Sequence, residues 1–169
     1  MNQISNWVKY CLEIIPNKEG RALDLACGKG RHSIFLSNYG YNVLAVDINQ
    51  KSLNCFNNKL IKKKIKDIEN LKNWPLEKAK FDIIVVTNFL NRKIFSSIIK
   101  SINKNGYLIY ETFSEGHQNI GKPSNPDYIL KQRELISLCV ELKLISYEEI
   151  YTENSISNSF KQRIFSVNV

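Results

Sequence analysis

The chain has 169 residues, with 43% hydrophobic and 24% charged side chains, a balance that excludes global disorder and a length that suits one domain rather than two. Its formal net charge is +8, from 24 basic and 16 acidic residues, which taken alone invites a nucleic-acid reading. Of those cations 19 are Lys and only 5 are Arg, beside 22 Ile and 20 Asn, so base composition accounts for the excess and Arg, the better fork for phosphate and guanine, is scarce.

The periodicity predicts a helix over residues 4–15, with Trp7, Val8, Leu12 and Ile15 on one face and Pro16 ending it. A strand follows from Ala22 to Ala26 and runs into the tight pair Gly28 and Gly30. A helix starts near Arg31 and stops at Gly40, a left-handed cap. Val43 to Val46 reads as a second strand ending at Asp47. Leu53, Phe56 and Leu60 mark a helix face, and Lys62 to Asp67 a short strand whose lysines are a solvated approach. Trp74-Pro75 shapes the next loop. Phe81 to Val86 is the cleanest buried strand, and Ile94, Phe95, Ile98, Ile99 and Ile102 mark the helix after it. Asn105-Gly106 is a turn, Tyr107 to Tyr110 a strand, and residues 114–126 a polar loop. A helix over 132–142 precedes two strands, 144–151 and 163–167, joined by a Ser/Asn-rich turn at 153–159. Alternation of this kind predicts an α/β fold: a Rossmann-like, doubly wound sheet of seven strands, mostly parallel, with the last strand antiparallel.

Cys11, Cys27, Cys55 and Cys139 lie far apart, with no zinc-ligand spacing, so no metal site is expected and free thiols in a reducing cytoplasm are the simplest reading. The first 15 residues do not read as a signal peptide, and no apolar run reaches the roughly 18 residues of a membrane span.

Ligands of open α/β sheets bind beyond the carboxyl ends of the strands. Those ends here carry Ala26-Cys27-Gly28-Lys29-Gly30, Asp47, Asp67, Thr87-Asn88 and Glu111-Thr112. Glycines let the backbone approach a ligand, and the helix after them directs free N–H groups at it. Asp47, 17 residues past Gly30, is placed to take both hydroxyls of a ribose. An NAD fingerprint would need a third glycine where Ser33 stands. Asp24, inside the first strand, suits an amine and a sulfonium better than a pyrophosphate.

The segment LDLACGKGRHSIFL resembles the first motif of class I S-adenosylmethionine (SAM)-dependent methyltransferases, with Ala26 in place of the first glycine. Val43 to Asp47, Asp67-Ile68 and FDIIVVTNFL resemble the later motifs. The stretch from Gly106 to Leu135 is similar to small bacterial tellurite-resistance-like methyltransferases. The resemblance implies SAM as cofactor and S-adenosylhomocysteine as product. It assigns Asp24 and Gly28 to the methionine part, Asp47 to the ribose, Asp67 and Ile68 to the adenine, and Asn88 and Phe89 to the border of the sulfonium and methyl end, with Ala26, Gly30, Ile48 and, at the cofactor edge, His32 completing the cofactor-binding set.

Glu111, His117 and Arg92 are the candidates for catalysis. His117 lies in the polar loop where an acceptor would sit, Glu111 ends a strand at the active edge, and Arg92 opens a helix near Asn88. The core fold consumes most of the chain, so a small-molecule acceptor is expected. The helix over residues 1–16 and the 114–127 loop would shape its pocket, completed by a second subunit in a homodimer if shallow. The alternatives are an RNA or protein methyltransferase, which predicts steeply salt-dependent RNA affinity, and a non-catalytic SAM-binding subunit. A nucleic-acid partner is not favoured, and a cytoplasmic location is expected.

Overall fold

The computed structural model describes residues 3–69, 74, 76, 79–153 and 158–169. Its elements run α1 (Asn6–Ile14), β1 (Arg21–Leu25), α2 (Arg31–Asn38), β2 (Asn42–Asp47), α3 (Gln50–Leu53), β3 (Ile61–Ile65), β4 (Phe81–Thr87), α4 (Phe95–Lys100), β5 (Ile102–Phe113), α5 (Glu134–Leu138), β6 (Lys143–Thr152) and β7 (Ser159–Val167). The seven strands form one sheet in the order β3-β2-β1-β4-β5-β7-β6. β1 to β5 pair in parallel, and β7 inserts antiparallel to both β5 and β6. The order turns at β1, where β2 lies on one side and β4 on the other, which opens a crevice at their carboxyl ends.

Side-chain alternation divides the core between the two sheet faces. Ile83 and Val85 pack with Trp7, Leu12 and Leu36 from α1 and α2. Ile84 and Val86 pack with Phe95, Ile98 and Leu135 from α4 and α5. On β1, Leu23 and Leu25 take the α4 side, so Asp24 turns toward α2, where it is 1% exposed.

Several elements differ from their sequence-based bounds. Of the helix expected around Leu53, Phe56 and Leu60, one turn forms. Lys63 reaches over from β3 and donates to the carbonyls of Leu53 (3.1 Å) and Phe56 (2.8 Å), holding the chain as a loop. β5 begins at Ile102 and absorbs the Asn105-Gly106 turn as a register shift. Asn105 takes a left-handed φ of 62°, and its N–H reaches Asn168 O. The helix expected over 132–142 contracts to α5. Arg133 is left-handed before it, and Gln162 of β7 takes the Leu135 N–H. Trp74 donates to Ser101 Oγ at 3.0 Å. Pro75 and most of the 153–159 turn lie outside the described residues.

Candidate active site

β1 passes directly into a loop in which alternate residues are left-handed, with φ of 54° at Ala26, 55° at Gly28 and 72° at Gly30. A side chain at Gly28 would meet nothing within 4 Å, so its face is open. A Cβ at Gly30 would stand 2.5 Å from the Phe56 ring. Glycine thus leaves one position open to the cavity and makes the other a seat for Phe56. The loop borders a cavity of about 780 Å³, whose lining includes Ala26, Lys29 and Arg31 on one side, Phe56 on another, and Thr87 and Asn88 at the end of β4.

Asp47 ends β2 beside this loop. Gly28 N–H donates to its Oδ2 at 2.7 Å and Asn49 N–H to its Oδ1 at 2.8 Å. Each carboxylate oxygen keeps a lone pair for a further donor. Ile48, next in the chain, is 61% exposed. Asp67 is also exposed, and its Oδ1 accepts the Glu69 N–H. The Ile68 side chain enters the core beside Leu23, so at most its backbone can face a ligand. Asp24 accepts from Ser33 Oγ at 2.5 Å. Burial outweighs that bond and lifts its carboxyl to about 7. Asn88 is left-handed at 54°, its Oδ1 accepts from Lys161 Nζ at 3.0 Å, and Phe89 packs against the core with its carbonyl taken by Tyr110 OH.

The catalytic candidates are committed to the architecture. Arg92, readable from sequence as an anion anchor or as a salt-bridge partner, grips Glu134 with Nε and Nη2 at 2.6 and 2.9 Å. It also donates to the carbonyls of Asp127 and Ile129, so it fastens the loop after β5 to α5. Glu134 is correspondingly held below the usual carboxylate range by Arg92. His117, expected in an accessible polar loop, is buried and stacked on Phe113 at 4.2 Å. Its Nε2 lies 2.9 Å from Lys122 O, and its Nδ1 has no partner. It is not among the residues that line the cavity. Glu111 is buried and accepts from Ser5 Oγ (3.0 Å) and Lys161 Nζ (3.2 Å), with Arg163 Nη1 at 3.5 Å. His32, expected at a cofactor edge, is buried beneath the N-terminal segment because residues 3–5 cross over it.

Phe56, Lys63, Ser5 and Lys161 are the site residues that sequence reasoning misses. Phe56 is visible only as a helix-face position, and Lys63 as one of a lysine run. The other two carry no local signal, because their partners lie 27 to 106 residues away. Among the described residues no three His, Cys, Asp or Glu side chains gather as a metal site, and no helix is long and apolar enough to cross a membrane.

A strand order of 3-2-1-4-5-7-6 with β7 antiparallel, and a glycine loop at the end of β1, define the class I SAM-dependent methyltransferase fold. The family model of the tellurite resistance protein TehB matches residues 1–157, and the chain belongs to this TehB family of SAM-dependent methyltransferases. TehB of Haemophilus influenzae, a probable SAM-dependent methyltransferase, is 31% identical over 145 residues, covering 76% of this chain and 48% of the relative. The chain therefore spans about half the length of the curated relatives it matches. The crystal structure of TehB from the same organism superimposes with a TM-score of 0.78 at 23% identity, covering 98% of this chain and 63% of that one. A SAM-dependent methyltransferase from Methanosarcina mazei gives a TM-score of 0.74 at 15% identity over 99% of both chains.

Proposed function

We propose that the chain binds SAM in the cavity at the ends of β1 and β4 and transfers its methyl group to a small-molecule acceptor. The observation that carries this reading is the open, left-handed Gly28 beside a doubly anchored Asp47, at the mouth of a cavity of about 780 Å³. The donor set fits the cofactor. Asp24 is a buried acid held by the hydroxyl and backbone N–H of Ser33, suited to an ammonium, and Asp47 has lone pairs for two ribose hydroxyls. The exposed Ile48 is an apolar surface for the adenosine, Asp67 is the adenine-edge acid, and Asn88, which lines the cavity, borders the methyl end with the core-packed Phe89 next to it in the chain.

SAM supplies an activated methyl on a sulfonium, so the chain's own residues have only to align, enclose and exclude water. No free base is required if the acceptor arrives unprotonated. This matches a site in which Glu111, His117 and Arg92 are all engaged in bonds of their own. The same observation favours, as a second reading, a SAM-binding subunit without turnover. The family's name puts tellurium oxyanions among the acceptors to try. The four cysteines are unpaired, in keeping with a cytoplasmic location. A homodimer remains the proposed means of completing the acceptor pocket.

Calorimetric titration with SAM, S-adenosylhomocysteine and NAD tests the cofactor, and binding of NAD alone would reject it. Asp47→Ala should weaken SAM about 100-fold, since two charge-assisted hydrogen bonds to the ribose are lost. Near-normal binding by that variant would overturn the ribose role. A methyl-transfer screen over thiols, amines, selenium and tellurium oxyanions and RNA then separates an enzyme from a binding subunit.

A further inference from the structure

His32 lies in the first turn of α2 with its ring covered, and each of its nitrogens meets one group. The backbone N–H of Ser5 stands 3.2 Å from Nε2 and can only donate. Nε2 is therefore the bare nitrogen, and the hydrogen of the neutral ring sits on Nδ1. Burial, aided by Arg31 and Lys161, pushes the imidazole down to about 3, so the ring is neutral at any ordinary pH. Nδ1 lies 3.3 Å from Thr87 Oγ1. The hydroxyl accepts the Nδ1 hydrogen and keeps its own hydrogen to give. Thr87 borders the cavity, and Lys29 and Arg31 border it too, so the matching ligand atom is an anionic oxygen.

The N–H that fixes this tautomer is itself fixed. Ser5 Oγ caps α1 and donates to Glu111, and Arg31 Nη1 donates to Gln3 O at 3.0 Å. Residues 3–5 thus form a strap fastened to both α2 and β5, and His32 relays its polarity to a hydroxyl in the cavity.

We propose that His32 is a positioning residue, locked by the strap in the Nδ1–H tautomer, that makes the Thr87 hydroxyl a hydrogen-bond donor toward the carboxylate end of the bound cofactor. The proposal rests on the SAM reading for the ligand, and on geometry alone for the tautomer.

Substitutions can separate the two legs of the ring. Asparagine places an amide nitrogen where Nδ1 sits and keeps the bond to Thr87. Glutamine places an amide oxygen where Nε2 sits and keeps the bond to Ser5. SAM affinity should fall about tenfold in Thr87→Val and in His32→Gln, while His32→Asn stays within about threefold of wild type. The double variant His32→Gln/Thr87→Val should bind no worse than Thr87→Val, because one interaction has been removed twice. Equal losses in His32→Asn and His32→Gln, or losses that multiply in the double variant, would overturn the relay and leave His32 as a strap anchor. Nitrogen-15 resonances of the imidazole in the wild-type protein test the tautomer without any ligand. A protonated Nδ1 and bare Nε2 are expected, and the opposite assignment sinks the proposal even if the variants fold poorly. Failure of the wild-type protein to bind SAM would instead reject the cofactor reading, with the tautomer result still standing.

Discussion

The two halves of the sheet's carboxyl edge are built on opposite principles. Around β1, β2 and β4 the edge is made of backbone in unusual conformations, with an open glycine face and a buried acid, Asp24, that Ser33 meets and no cation among the described residues pairs. Around β5, β7 and β6 it is made of charged side chains that satisfy one another. Glu111 is met by Ser5, Lys161 and Arg163, Arg163 is also bound to Glu148 at 2.6 Å, and Arg163 lies over the Trp7 ring. The open half has unmet capacity for a ligand. The closed half is held together by polar groups that a sequence would nominate as catalytic. A strand-end acid is thus evidence of chemistry only when its lone pairs are still available.

The largest expected effect lies in the closed half. Glu111→Ala leaves Lys161 and Arg163 facing a buried void and should cost about 3 kcal/mol of stability in urea unfolding. Its effect on SAM affinity should be far smaller than that of Asp47→Ala. An unchanged unfolding midpoint together with abolished methyl transfer would break the contrast, since Glu111 would then be a working base.

The two glycines sharpen it within the open half. Gly30→Ala must displace the Phe56 ring as well as hold a left-handed φ, and should cost about 2 kcal/mol. Gly28→Ala meets only the backbone penalty, about 1 kcal/mol, and puts its methyl into open space beside the cavity. Unfolding curves should therefore rank Gly30→Ala as the less stable, and SAM titration should register a loss in Gly28→Ala. Equal unfolding midpoints would mean that Phe56 moves aside freely.

The open half was the more legible in sequence because its signals are local. FDIIVVT is a nearly continuous apolar run, and Gly28, Gly30 and Asp47 carry their meaning in spacing. The partners that stay hidden in the sequence share a different cause. An anion anchor and a salt-bridge partner are equally open readings of Arg92 because its partner Glu134 lies 42 residues on, and the cover over His32 is hidden because the strap comes from residues 3–5. Phe56 fits a helical period, yet Lys63 of β3 claims the carbonyls that a helix would use. In each case a hydrogen bond from another element outweighs a local preference, and a periodic pattern carries no trace of such partners.

Asp24 gives the smallest and most informative effect. In the folded chain its proton stays on until about pH 7, whereas in the unfolded chain the proton leaves near 4. Between those values the folded state binds more protons, so stability falls as pH rises through that window and stays reduced above it. Asparagine can still accept from Ser33 and carries no charge to bury. Asp24→Asn should therefore be about 1 kcal/mol more stable than wild type at pH 8, with the advantage fading toward pH 4. The same variant should lose SAM affinity, because an ammonium needs the carboxylate, and wild-type affinity should rise between pH 6 and 8 as the proton departs. Urea unfolding at both ends of the range, paired with SAM titration, checks the two together. A stability difference that does not change with pH would show that Asp24 is ionised without a ligand, and the burial cost that sets the open half apart from the closed half would then be absent.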